Sequence, residues 1–168
     1  MAETEPSYGV PVRIEPGDLD AEDVGALLRE HLEDMFATSP PESVHTLSDA
    51  ELRDPDVAFF TARADDGALL GCGAIKRFGD GAAELKTMRT VAAARGRGVG
   101  SAMLVHLLDV ARARGCRSVH LETGSMEYFA AARRLYARHG FVETGPFGDY
   151  RPDPLSTFME LRLSAASS

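Results

Sequence analysis

The sequence is short of cysteine. Its two thiols, Cys72 and Cys116, have no Cys-x-x-Cys spacing and no clustered histidine, which excludes a disulfide framework and argues against a zinc site. No run of ~18 consecutive apolar residues occurs, so no membrane span is expected. Residues Met1 to Tyr8 carry neither a basic stretch nor an apolar one, so no secretory signal is expected and the cytoplasm is the expected compartment. Basic residues are also scarce: 18 Lys and Arg against 26 Asp and Glu leave a net charge of −8. That balance argues against nucleic acid as a partner, because neutralising phosphates needs a basic face, and is compatible with small or cationic substrates. No internal repeat, low-complexity block or Gly/Ser linker divides the chain.

What is present reads as one globular domain over residues 1–168, with 44% hydrophobic and 26% charged residues. A chain of this length buries a core without metals or disulfides. The small, polar ends, 1–8 and 164–168, are expected to fray. Val10 to Glu15 reads as a strand. From Asp20, apolar residues recur at Val24, Leu27, Leu28, Leu32, Met35 and Phe36, the period of a helix with one buried face. Asp18 or Asp20 is placed to cap it, and Ser39-Pro40-Pro41 must end it. Ser48-Asp49-Ala50-Glu51 has capping-box spacing for a short second helix. Val57–Ala64, Leu69–Phe78 and Ala83–Val91 form an antiparallel meander around the turns Asp65-Asp66-Gly67 and Gly79-Asp80-Gly81. A helix from Val99 to Gly115, a strand at Ser118–Glu122, a helix at Phe129–His139 ended by Gly140, and strands at Phe141–Thr144 and Thr157–Leu163 complete the chain. The order β-α-α-β-β-β-α-β-α-β-β belongs to the α/β or α+β class.

The chemistry concentrates in Arg95-Gly96-Arg97-Gly98-Val99-Gly100, between a strand and a helix. Glycines let backbone approach a ligand, and the free N–H groups of a helix's first turn attract an anion. The segment reads as a phosphate-binding turn. It is no Walker loop, since Gly100-Ser101 lacks the lysine. Nor is it a dinucleotide fingerprint, since the glycines fall as G-x-G-x-G after an antiparallel meander.

Arg95, Gly98 and Gly100 match R-x-x-G-x-G, and the chain here resembles the GNAT acetyltransferases. The later segment Ala132-x-x-Leu135-Tyr136-x-x-x-Gly140-Phe141 is similar to that family's A-x-x-L-Y-x-x-x-G-F, and Ala83 to Met88 looks like its fourth strand. The resemblance implies a central mixed, mostly antiparallel sheet flanked by helices, and acetyl transfer from acetyl-CoA to an amine without a metal. It implies that backbone N–H groups from Arg95 through Gly96, Arg97, Gly98, Val99 and Gly100 to Ser101 hold the CoA pyrophosphate. It implies that main chain from Met88 to Thr90 holds the pantetheine arm and acetyl carbonyl. Thr90 stands where relatives often carry a large apolar residue, a harmless departure for a main-chain contact. Phe129 stands where the family often has an Asn that touches CoA, and Ser125 is the stand-in named for that contact.

Glu84 is the candidate general base, since an ammonium must lose a proton before its nitrogen attacks a thioester; Glu122 on the next strand is its competitor. The alternative for Glu84 is a structural strand residue. Tyr136 is the candidate general acid for the departing thiolate, or else a packed helix aromatic. The acceptor is expected to be a small primary amine or an amino acid, met by direct transfer in a ternary complex, with Ser39–His45 and Phe147–Pro154 as recognition segments. His45 reads as a hydrogen-bonded structural residue. A protein N-terminus or lysine as acceptor, a non-catalytic acetyl-CoA-binding module, and a homodimer stay open. Cys72 and Cys116 read as small core residues.

Overall fold

A computed structural model describes residues 12–41 and 49–163. The elements are β1 (Arg13–Pro16), α1 (Glu22–Thr38), α2 (Asp49–Leu52), β2 (Val57–Arg63), β3 (Leu69–Phe78), β4 (Ala82–Thr90), α3 (Val99–Ala113), β5 (Ser118–Gly124), α4 (Ala130–Arg138), β6 (Val142–Thr144) and β7 (Ser156–Arg162), with short 3-10 turns at Ala92–Ala94 and Glu127–Phe129. The strands form one sheet in the order β1-β2-β3-β4-β5-β7-β6. Every neighbouring pair is antiparallel except β4–β5. This is the expected α/β architecture in the expected element order.

The sheet buries both faces because its strands alternate apolar side chains. Ile75, Leu85, Val119 and Leu121 pack against Val99, Met103, Leu104, Leu107 and Ala111 of α3. Cys72 and Ala74, pointing the other way, pack with Phe59 against Val24, Leu27 and Leu52. Glycine makes the hairpins possible: Gly67, Gly79 and Gly81 all have positive φ.

Two local expectations need correction. Neither Asp18 nor Asp20 caps α1. Ala21 occupies the N-cap without a side-chain bond. Asp18 instead accepts the Asp20 N–H, and Asp20 pairs with Arg53. The buried stripe of α1 is also shorter than its period suggests. Val24, Leu27 and His31 are buried, whereas Leu32 and Phe36 are exposed. The first half of α1 sits on β2 and β3, and its second half borders an open cavity. Among the described residues β1 spans Arg13 to Pro16; the expected start at Val10 lies outside them. The expected end at Ser39 is observed, with extended backbone before Pro40. The calls on residues 1–8, Ser43 to His45, Ser48 and 164–168 lie outside the described residues.

Candidate active site

The site begins where the sheet comes apart. β4 and β5 pair only at Ala82/Ser118, Ala83/Val119 and Glu84/His120. Beyond that point β4 carries a bulge: Cys72 and Ala74 of β3 stand opposite Arg89 and Lys86, so three steps along β4 face two along β3. Thr87 sits in the extra step with φ 58°, the only non-glycine residue with positive φ among the described residues. A bulge bends its strand and redirects its backbone groups. The resulting opening is a cavity of about 950 Å³ lined by Glu84 to Thr90 of β4, Leu121 to Gly124 of β5, the start of α3, and residues of α1 and α4.

One end of this cavity is the Gly-rich turn. Gly96 and Gly98 have φ of 79° and 85°, and Gly98 is the N-cap of α3 with no side chain closing its first turn. The N–H groups there are available to an anion, and the helix dipole favours it. Arg95 lines the cavity and donates from Nε to the Thr90 carbonyl at 3.4 Å. Gly100 lies close to α4: a Cβ there would be 3.3 Å from the end of the Leu135 side chain, a tight contact. Val99 lines the same wall but spends its side chain in the core, and Ser101 bonds His139 at 2.8 Å. Met88, Thr90, Arg95, Gly96, Gly98, Val99, Gly100 and Ser101 therefore share the cavity, whereas Arg97 is exposed and outside its lining. Free N–H groups, a guanidinium beside them and an open cleft leading from them fit an acyl-CoA.

The three candidate acid–base residues line this cavity together. Glu84 is 9% exposed and already engaged. Tyr150 donates its hydroxyl to Glu84 Oε2, and Lys86 Nζ lies 3.2 Å from the same oxygen and 2.8 Å from Tyr150 Oη. Among the described residues Glu122 has a single hydrogen-bonding side-chain partner, the Ser156 hydroxyl at 2.7 Å. Burial pushes its carboxyl from 4.5 up to about 7; Ser156 and Lys86 pull it down, and Glu84 and Asp153 add to the rise. Tyr136 is 7% exposed, and burial pushes its phenol up to about 12. Its hydroxyl has no protein partner among the described residues.

Sequence reasoning passed over Lys86, Tyr150 and Ser156. Lys86 was findable, since residues two apart on a strand share a face. Tyr150, 66 residues from Glu84, carried no such signal beyond its place in a recognition segment. The α1–β4 clamp was also missed: buried Arg89 pairs with Asp34 and Glu30, and His31 beside it is held neutral, its pKa pushed down to about 4 by burial. Ser125 lies outside the cavity lining, and its hydroxyl donates to the Pro154 carbonyl. Phe129 does line the cavity, its ring lying where a Cβ on Gly124 would be. Among the described residues no group of His, Cys, Asp and Glu gathers as for a metal ion, and no helix is long and apolar enough to cross a membrane.

Comparison with known proteins is consistent with this geometry. The profile of the Acetyltransferase (GNAT) family matches residues 24–141. The uncharacterized N-acetyltransferase YsnE of Bacillus subtilis is 42% identical over 152 residues, covering 90% of this chain and 100% of that protein. An IAA acetyltransferase of Azospirillum brasilense is 42% identical over 137 residues, 81% of this chain and 86% of its own. The crystal structure of PaiA N-acetyltransferase from Thermoplasma acidophilum, in complex with coenzyme A, shares the fold with a TM-score of 0.70 at 17% identity, covering 91% of this chain and 99% of that one.

Proposed function

The chain belongs to the GNAT acetyltransferase family, and from that premise we propose that it transfers the acetyl group of acetyl-CoA directly to a primary amine of a small molecule, with Glu122 taking the proton and Tyr136 giving one. The observation that carries this reading is that one cavity holds the free N–H groups of α3, a carboxyl near neutrality and a protonated phenol.

Acetyl-CoA supplies a thioester whose carbonyl carbon accepts the amine nitrogen as the C–S bond breaks. The protein's own residues do the rest. The N–H groups at Gly98 to Ser101 bind the pyrophosphate. Glu122, with its pKa near the working pH, accepts the proton that the amine must shed, directly or through one water. Tyr136 is a phenol at neutral pH like any tyrosine, burial pushes it further up to about 12, and it thus holds a proton for the departing thiolate. Glu84 then has a different task. Ion-paired with Lys86 and bonded by Tyr150, it latches the segment after β6 onto the sheet face beside the cleft. Lys86 also sets the charge that Glu122 feels.

A panel of primary amines, amino acids and peptide N-termini, assayed by thiol release from acetyl-CoA, tests the reading. Turnover with a small amine is expected. Turnover with peptides alone would move the acceptor to a protein, and binding of CoA without turnover of any member would reduce the chain to a binding module.

A further inference from the structure

Cys72 sits at the centre of the bulge that opens the cleft. Its side chain is 2% exposed, and its Sγ donates to the main-chain carbonyl of Thr87 at 3.3 Å. Burial pushes the thiol up to about 12, so it stays a donor across the neutral range. Its two neighbours are glycines with no room for anything larger. A Cβ on Gly71 would lie 2.7 Å from the Arg89 carbonyl oxygen, and one on Gly73 would lie 2.8 Å from Met103 and 3.0 Å from the Met88 sulfur. Gly71-Cys72-Gly73 is thus shaped against the bulged stretch from Thr87 to Arg89. Thr87 holds its place with a left-handed backbone, and its own buried hydroxyl, in the cavity wall, has no partner among the described residues.

We infer that Cys72 is a positioning residue: by holding the Thr87 carbonyl, it fixes the direction of the Met88 N–H, which lies in the main-chain stretch that the acetyl-CoA reading already sets against the acetyl carbonyl. A trans peptide is planar, so the C=O of Thr87 and the N–H of Met88 point in opposite directions. A carbonyl held on the β3 side leaves the N–H directed away from β3, toward the side of β4 where pairing with β5 has ended. An N–H aimed in advance at an oxygen gaining negative charge is worth more than one that must reorient. The inference rests on the acetyl-CoA reading above and adds the side chain that orients the donor.

The test compares the affinities of acetyl-CoA and CoA for wild type, Cys72→Ala and Cys72→Ser by titration calorimetry. CoA lacks the acetyl carbonyl, so the ratio of the two affinities isolates this contact. Wild type is expected to prefer acetyl-CoA. Cys72→Ala should shrink the preference by about threefold to fivefold, the scale of one weak S–H hydrogen bond, while CoA affinity holds. Cys72→Ser, with a donor restored, should recover it. A residue that merely fills the core behaves the other way, since Ala is the better buried substitute for a thiol. An unchanged ratio in Cys72→Ala, or a Ser variant no better than Ala, would overturn the inference. If neither variant folds, the S–H stretch of wild-type Cys72, separated from that of Cys116 in a Cys116→Ala background, decides: it should lie at the lowered frequency of a hydrogen-bonded thiol and move with acetyl-CoA more than with CoA, and a free-thiol frequency in every state overturns the inference. Failure of wild type to bind either ligand would instead strike the proposed function itself.

Discussion

Replacing Glu122 with Gln keeps the shape of the side chain and an acceptor for the Ser156 hydroxyl, and removes only the ability to carry charge. Burial raises this carboxyl from 4.5 to about 7. Its ionised form is therefore roughly 3 kcal/mol less favourable in the fold than in water, at ~1.4 kcal/mol per tenfold in acidity. The folded chain holds this proton more tightly than the unfolded chain does. The associated stability is complete below about 4.5 and is lost as pH rises to and beyond about 7. Gln never ionises. The variant should match wild type within about 1 kcal/mol at pH 5 and exceed it by up to about 3 kcal/mol at pH 8. Activity should move the opposite way. Wild-type kcat/KM should climb as pH passes about 7, and Glu122→Gln should fall by roughly 10²-fold and lose that limb. Urea unfolding at the two pH values and thiol release with the best amine of the panel measure both. A variant with no stability gain at pH 8 would refute the burial argument. One that is stabilised but fully active would leave the carboxyl buried and take the base role from it.

Tyr136→Phe should lose about 10²-fold in turnover with stability nearly unchanged, because the hydroxyl has no protein bond to forfeit; wild-type turnover in a chemistry-limited assay removes it from the mechanism. Gly98→Val forces a β-branched residue to φ 85° at the head of α3, and CoA affinity should drop at least about tenfold in a protein that still folds, as read by calorimetry and circular dichroism. Asp34→Ala leaves the buried Arg89 guanidinium to Glu30 alone and should cost about 1.5–3 kcal/mol in urea unfolding, with Arg89→Met costing less because no stranded charge is left behind.

Most of the secondary structure was legible before any coordinate. The periodicity of α3 and the glycine turns of the meander are local signals, and β3 spans Leu69–Phe78 as read. The glycine turn before α3 was equally plain, because its residues are contiguous in the chain. Long-range partners were not. That Glu84 is tied to Lys86 and Tyr150, while Glu122 accepts from Ser156, depends on how the segment between β6 and β7 returns across the sheet. Two carboxylates of equal chemistry in the sequence became different groups through burial and neighbours, quantities no spacing encodes.

The sequence by itself determined the class of fold, the glycine turn at the head of α3, and the presence of two carboxylates and one tyrosine on elements that could meet. Those follow from backbone propensity and from periods of 3.6 and 2, which act over a few residues. Only the tertiary structure decided that β4 bulges at Thr87 and parts from β5, that half of the apolar stripe on α1 faces outward, and that Glu84 rather than Glu122 is the carboxyl in an ion pair with Lys86. Each of these is an outcome of competition between distant segments for the same space, settled by steric fit and by the cost of burying charge.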